Sequence, residues 1–139
     1  GAGRMREWVS RLGFGNAEIG SVIDEFWLEG PLAISPLEEV RFFRRLDRGE
    51  LPVSARSRSV VLDMLELSRD AHGVLRGKTG WAMPRSGEEH GWFVGSLERE
   101  GRPTIYIAVL VTEPTPRMVT ARRAVAERIL RELARSSGR

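Results

Sequence analysis

Cysteine is absent from the 139 residues, which removes disulfides and thiolate metal sites and leaves the redox compartment open. No apolar run is long enough to span a membrane, and no signal-peptide pattern is present. Histidine occurs only at His72 and His90, both in turn-like segments, so no Ser/His/Asp set and no metal-ligand spacing can be assembled. Dense basic runs and nucleic-acid-binding motifs are missing too. The net charge is only +3, with 19 acidic residues interspersed, and the Arg-rich end of the chain reads as the solvated face of a helix, which argues against a nucleic-acid partner. The last scarcity points inward. Of 22 Lys plus Arg, 21 are Arg, and the one lysine is Lys78.

What is present suffices for one domain or part of a larger one. The hydrophobic fraction is 41% with four tryptophans, enough for a core. Met5, Trp8, Val9 and Leu12 share one face of a helix over Arg4–Leu12, ended by Gly13. Phe14-Gly15-Asn16 then reads as a tight turn. The segment 19–34 is mixed and contains Asp24-Glu25-Phe26-Trp27-Leu28-Glu29-Gly30-Pro31-Leu32, a loop either folded onto the core by its aromatics or covering a pocket. Ser35, Pro36 and Glu38 make a capping-box helix start, with Leu37, Val40, Phe43 and Leu46 facing inward and Gly49 as the stop. A second helix is expected over Ser54–Leu67, with Val60, Val61, Met64, Leu65 and Leu67 inward, and Asp70–Gly73 as the turn out. The pattern then becomes that of strands: Val74–Met83, Gly91–Arg99 and Thr104–Thr112, with Glu100-Gly101 as a hairpin turn. Ile105–Val111 is apolar on both faces, as a central strand would be. A final helix over Met118–Ala134 carries Ala121, Val125, Ile129, Leu130 and Leu133 as its stripe. The expected fold is α+β: helices, then a three-stranded antiparallel meander with the last helix packed on it.

Lys78 stands in Gly77-Lys78-Thr79-Gly80 on the first strand. Arg offers a planar fork, Lys a compact ammonium on a slim stem. Lys78 and Thr79, read as neighbours on the inner face of an edge strand, offer an ammonium and a hydroxyl, and the Trp81 backbone N–H is placed to meet a developing oxyanion. That is an anion-recognition site without a nucleophile or base.

These residues resemble one family. Phe14-Gly15-Asn16, then Phe26-Trp27-Leu28-Glu29-Gly30-Pro31-Leu32, Leu51-Pro52, Gly77-Lys78-Thr79-Gly80-Trp81-Ala82-Met83 and Gly91-Trp92-Phe93-Val94-Gly95 follow the order and spacing of the C-terminal half of class D (oxacillinase-type) serine β-lactamases. The sensor domains of β-lactam receptors are similar and share the Lys-Thr-Gly strand. The resemblance implies a β-lactamase/transpeptidase-like fold and a set of roles. Lys78, Thr79 and Gly80 match the active-site triad, and Trp81 the residue giving half the oxyanion hole. Trp27 matches the tryptophan that hydrogen-bonds a carbamylated lysine, and Leu28 its neighbour over the pocket. Arg122 matches the arginine that binds the substrate carboxylate, with Arg123 the alternative. Phe14-Gly15-Asn16 matches a Tyr-Gly-Asn motif, with Phe in place of Tyr.

The departure is an absence. The family acylates a serine three residues before a lysine that CO2 carbamylates into the general base. No serine here has Lys three residues later, and a Ser-x-Val motif is missing as well. The expectation is therefore that residues 1–139 form the C-terminal part of a single β-lactamase/transpeptidase-like domain. It would be inactive alone, poorly stable for want of its other half, and without cofactor of its own. The chain begins Gly1-Ala2-Gly3, which points to cleavage or to a longer parent. Implied partners are β-lactam antibiotics and the N-terminal half, with a homodimer possible and the periplasm as the family's compartment. A β-lactam sensor and a non-catalytic fragment stand as alternatives.

Overall fold

The computed structural model describes residues 1–85 and 87–136. Four helices, α1 (Ala2–Leu12), α2 (Pro36–Arg48), α3 (Ala55–Leu65) and α4 (Pro116–Ser136), accompany four strands, β1 (Glu66–Asp70), β2 (Gly73–Ala82), β3 (His90–Arg99) and β4 (Arg102–Thr112). The strands form one antiparallel meander in the order β1-β2-β3-β4. One more strand is present than the sequence suggested. The helix expected to reach Leu67 stops at Leu65, and Glu66–Asp70 turns back along β2.

The helix signals act as read. Ser35 Oγ accepts the Glu38 N–H at 3.3 Å, and the Glu38 carboxylate accepts the Ser35 N–H at 2.8 Å. Gly49 ends α2 with φ 71°, a left-handed value that glycine adopts without a Cβ penalty. Arginine supplies the other half of helix termination. Arg45 donates to the Leu12 carbonyl at the end of α1, Arg58 to Leu46 and Asp47 at the end of α2, and Arg99 to Ala134 at the end of α4. A planar fork reaches two orphan carbonyls at once, which an ammonium cannot do as well. Part of the Arg excess is thus structural.

Side chains alternate across the sheet. The odd-numbered face of β2–β4 packs on α4 through Leu75, Leu97 and Leu130, with Ile105 and Ile107 beside them. The even-numbered face meets α2, where Phe43 and Tyr106 stack edge to face at 6.4 Å. The helix faces differ from expectation. On α4 the buried residues are Arg122, Ala126 and Leu130, while Val125, Ile129 and Leu133 are exposed. On α3 Leu62 is buried, and Val60, Val61 and Met64 (78% exposed) face outward; Leu37 of α2 is exposed as well. Residues 105–111 form not a central strand but part of the outermost one, half-buried because no strand among the described residues pairs with the far side of β4.

Tyr106 links this sheet to α2, its hydroxyl donating to the Asp47 carboxylate at 2.6 Å. Burial first, then that hydrogen bond, pushes its pKa from the ordinary value near 10 up to about 12. A raised folded-state pKa stabilises the fold fully below the unfolded value and is lost as pH rises through the folded one. Stability should therefore fall between about pH 10 and 12. Tyr106→Phe should cost about 1–2 kcal/mol at neutral pH and remove that alkaline loss. Urea melts at neutral and alkaline pH check it, and Tyr106 is the only tyrosine, so tyrosinate absorbance reads the group directly.

Candidate functional site

Lys78, Thr79 and Gly80 lie in the second half of β2. β1 pairs only with Gly73–Arg76, so among the described residues Gly77–Ala82 is paired on one side alone, to β3. The direction of its backbone groups follows from two close approaches. A Cβ on Gly95 would sit 2.5 Å from the Arg76 carbonyl oxygen, and one on Gly77 2.8 Å from that of Val94. Those carbonyls therefore point across the β2–β3 seam, so even-numbered residues of β2 bond to β3. The N–H groups of Gly77, Thr79 and Trp81 face the open edge.

The same alternation corrects one expectation. Lys78 and Thr79 do not share a face; they straddle the edge. Lys78 projects on the α2 side, exposed, its Nζ folded back onto the Thr79 carbonyl oxygen. Thr79 projects on the α4 side, the side of Arg122. Gly80 returns to the Lys78 face, and a Cβ there would meet only the Trp92 Cβ, at 3.6 Å. On that same face, toward the end of the strands, opens a cavity of ≈480 Å³. Ala82, His90, Trp92 and Leu110 form its sheet wall, and Trp27, Leu28 and Ile34 stand on the other side. Trp27 is 59% exposed, with its ring edge-to-face on Phe26 at 5.1 Å. Among the described residues nothing accepts from its indole N–H. Of the two readings of this loop, the pocket-lining one holds for Trp27 and Leu28, while Phe26 is the residue that folds into the core.

Arg122 is buried, at 9% exposure, on the first turns of α4. Its Nε donates to the Trp92 carbonyl at 2.8 Å and its Nη1 to that of Val119. Its stem passes the bare Cα of Gly91, the β3 partner of Trp81. The other terminal nitrogen has no partner among the described residues. Arg123, the alternative to Arg122, is exposed and pairs with Glu127 at 2.6 Å. Trp81 is half-exposed, its indole donating to Glu89 at 3.1 Å.

Phe14 and Asn16 stand apart from Lys78 and build the support for the Trp27 loop. The Phe14 ring packs edge-to-face on Phe42 at 4.8 Å and joins the cluster of Val9, Ile19 and Phe26. Asn16 donates to the Pro31 carbonyl at 2.8 Å and accepts from the N–H of Ala33 at 3.1 Å and of Glu18 at 3.2 Å. The bonds with Pro31 and Ala33 tie the turn to the part of the loop that returns from Trp27, and the one from Glu18 closes the turn itself.

Sequence reasoning missed three residues. His90, read as a turn residue, begins β3 and lines the cavity. Glu29, present in the Phe26–Leu32 run but given no role, and Arg85, which carried no signal, join the loops on either side of the cavity mouth. A second hollow, ≈490 Å³, lies at the opposite end of the sheet between the β1–β2 turn and the end of α4. Arg99 there serves the Ala134 and Pro103 carbonyls, and Arg131 pairs with Asp70. Among the described residues no cluster of His, Cys, Asp and Glu could hold a metal ion, and no helix is long and apolar enough to cross a membrane.

Residues 1–135 match the family model described as the penicillin binding protein transpeptidase domain. The chain is 36% identical over 107 residues to a probable β-lactamase, YbxI, of Bacillus subtilis, a match that takes in 77% of this chain and 39% of that protein. It superposes with a TM-score of 0.86 and 34% identity on FUS-1 (OXA-85), a class D β-lactamase from Fusobacterium nucleatum subsp. polymorphum, over 96% of this chain and 55% of that one. A class D β-lactamase of Nostoc, YbXI, gives a TM-score of 0.83 at 40% identity, over 94% of this chain and 55% of its own. The chain thus spans about half the length of the relatives it matches.

Proposed function

The chain belongs to the penicillin-binding protein transpeptidase family, on its class D serine β-lactamase branch, and from that membership we propose that it carries the substrate-recognition side of a β-lactam-hydrolysing site whose nucleophile comes from sequence outside these 139 residues. The observation that carries the reading is the open edge of β2. An ammonium (Lys78) stands on one side, a hydroxyl and a guanidinium (Thr79, Arg122) on the other, and backbone N–H groups lie between, next to a cavity bordered by Trp27 and Leu28.

Each group has one task in that reading. A serine oxygen attacks the β-lactam carbonyl, the amide C–N bond breaks, and the ring nitrogen takes a proton. Water then cleaves the ester. The Trp81 N–H meets the carbonyl oxygen as it gains charge. Lys78 and Thr79 hold the substrate against the edge, Lys78 adding positive charge where negative charge develops. Arg122 is held rigid by Trp92 and Val119, and its unpartnered terminal nitrogen receives the substrate carboxylate. Phe14 and Asn16 act on substrate only through the Trp27 loop they support. The class D general base is a lysine carbamate. Lys78 is the only lysine and lies in the recognition strand, so this chain holds no residue for that group and no step is assigned to it.

Two surfaces support a larger domain. Among the described residues β4 leaves its outer edge, with the apolar run 105–111 on it, unpaired, which folded proteins ordinarily cover or blunt. Met118, Val125 and Ile129 on α4 and Met64 on α3 are exposed apolar residues that a completing segment would bury. The missing Ser-x-x-Lys pair also suits a non-catalytic fragment, so the test must separate these.

The test is complementation. The chain is assayed alone and combined with a class D segment bearing Ser-x-x-Lys, using a chromogenic β-lactam, added bicarbonate and intact-mass analysis. Sustained hydrolysis by the combination, and none by the chain alone, is expected. Hydrolysis by the chain alone would overturn the assignment of the nucleophile. A lasting adduct without turnover would make the protein a β-lactam sensor, and neither adduct nor turnover a non-catalytic piece.

A further inference from the structure

Two loops, 56 residues apart in sequence, are joined by one carboxylate. Both oxygens of Glu29 accept the backbone N–H of Arg85, at 3.0 and 3.2 Å, and the Arg85 guanidinium reaches Glu25 at 3.1 Å. Glu25 and Glu29 lie on one turn, since the Glu29 N–H donates to the Glu25 carbonyl at 2.8 Å. Their i, i+4 spacing puts both carboxylates on one side of that turn. Trp27 and Leu28 lie between them in sequence and line the cavity. On the other loop, Pro84 lines the same cavity immediately before Arg85.

The strengths of the contacts differ, and the weakest by distance is the Arg85 Nε, 4.0 Å from the Glu29 carboxylate. The Arg85 side chain is 77% exposed and Glu25 41%, so that ion pair is screened and contributes little. The Glu29 side chain is 19% exposed, and a carboxylate accepting a backbone N–H is charge-assisted. The join therefore depends on Glu29 and on the Arg85 backbone, not on the Arg85 side chain. The Trp27 ring packs edge-to-face on Phe26.

We propose that Glu29 is a positioning residue: its carboxylate ties the Trp27–Leu28 turn to the β2–β3 loop and so fixes the Trp27 indole at the mouth of the cavity at the Ala82 end of the Lys78 strand. Its catalytic consequence rests on the function proposed above. The tether itself does not.

The experiment compares the full chain with Glu29→Ala, Glu29→Gln and Arg85→Ala by amide hydrogen exchange and the NMR resonance of the Trp27 indole. Glu29→Ala should speed exchange of the Arg85 amide about tenfold or more and shift the Trp27 resonance. Glu29→Gln keeps an acceptor and should lie near wild type, and Glu29→Ser, too short to reach the Arg85 amide, replaces Glu29→Ala in the same comparison if Glu29→Ala does not fold. Arg85→Ala should leave the amide at position 85 protected. In the complementation assay Glu29→Ala should lower kcat about tenfold to a hundredfold with KM nearly unchanged, and Glu29→Gln should restore most of it. An unchanged amide and indole in Glu29→Ala overturn the tether whatever the turnover. A shifted indole with unaltered kcat overturns its role in positioning. Failure of the wild-type combination to turn over sinks the β-lactamase reading, while exchange still decides the tether.

Discussion

Lys78→Ala is expected to lower the acylation rate of the completed protein by about a thousandfold while leaving the chain's own stability within about 0.5 kcal/mol. The two halves of that expectation come from different observations. Stability is spared because the side chain is exposed and its hydrogen bond goes to the carbonyl of the adjacent residue, Thr79, not to another element. Activity falls because this is the only lysine in a chain that otherwise uses guanidinium, and it stands at the strand edge where, in the function proposed above, the Trp81 N–H receives the substrate carbonyl. Lys78→Arg should rescue little. A fork cannot place its charge where a single nitrogen sits, and its bulk would sweep across the Cα of Gly80 on the same face. Intact-mass measurement of the acylation rate and a urea melt of the chain check both halves. A near-wild-type rate in Lys78→Ala would refute the role, and a large loss of stability would show that Lys78 holds the strand itself.

That site was legible in the sequence only in part, and the division is physical. Local signals are written in neighbouring residues, so the Ser35–Glu38 box, the Gly49 stop and the Glu100-Gly101 turn could be read directly. β1 could not. Glu66–Asp70 is mostly polar, and Leu67 continues the apolar spacing of α3, so the pattern of the helix runs on past the end of its hydrogen bonds. The stripes of α3 and α4 misled for a related reason. Periodicity marks every apolar residue as inward, but Val60, Met64, Val125 and Ile129 face a side of the helix with little against it among the described residues. Arg122 is the opposite case, a charged residue that goes inward because carbonyls of Trp92 and Val119 receive it. Adjacency in sequence suggests that Lys78 and Thr79 share one face. The two-residue period of the strand separates them and sets the open backbone edge between. The contact of Glu29 could not be read because its partner is a backbone group 56 residues away.

Gly77 and Gly95 on one hand and Gly80 on the other should respond oppositely to the same change. A Cβ on Gly77 would lie 2.6 Å from the Phe93 ring and 2.8 Å from the Val94 carbonyl oxygen; one on Gly95 would lie 2.5 Å from the Arg76 oxygen. Phe93 is 1% exposed and cannot swing aside, and the carbonyls belong to the ladder itself. Gly77→Ala and Gly95→Ala must therefore spread the β2–β3 seam, at a cost of about 3 kcal/mol or more, enough to unfold much of the population of a chain with uncovered apolar faces. Gly80→Ala meets only the Trp92 Cβ at 3.6 Å, ordinary contact, and should leave stability within about 0.5 kcal/mol. Its effect belongs on the other side of the strand's duty. The added methyl stands on the Lys78 face, between the ammonium and the cavity wall at Ala82, in the space a ligand held by Lys78 would cross. In the completed protein Gly80→Ala should raise KM or slow acylation about tenfold or more, without a change in melting. Thermal melts of the three variants, with β-lactam turnover for Gly80→Ala, separate the two duties. If all three melted alike, the glycines would be equivalent parts of one strand. If Gly80→Ala melted as wild type and also turned over as wild type, the space above Gly80 would not be where substrate lies.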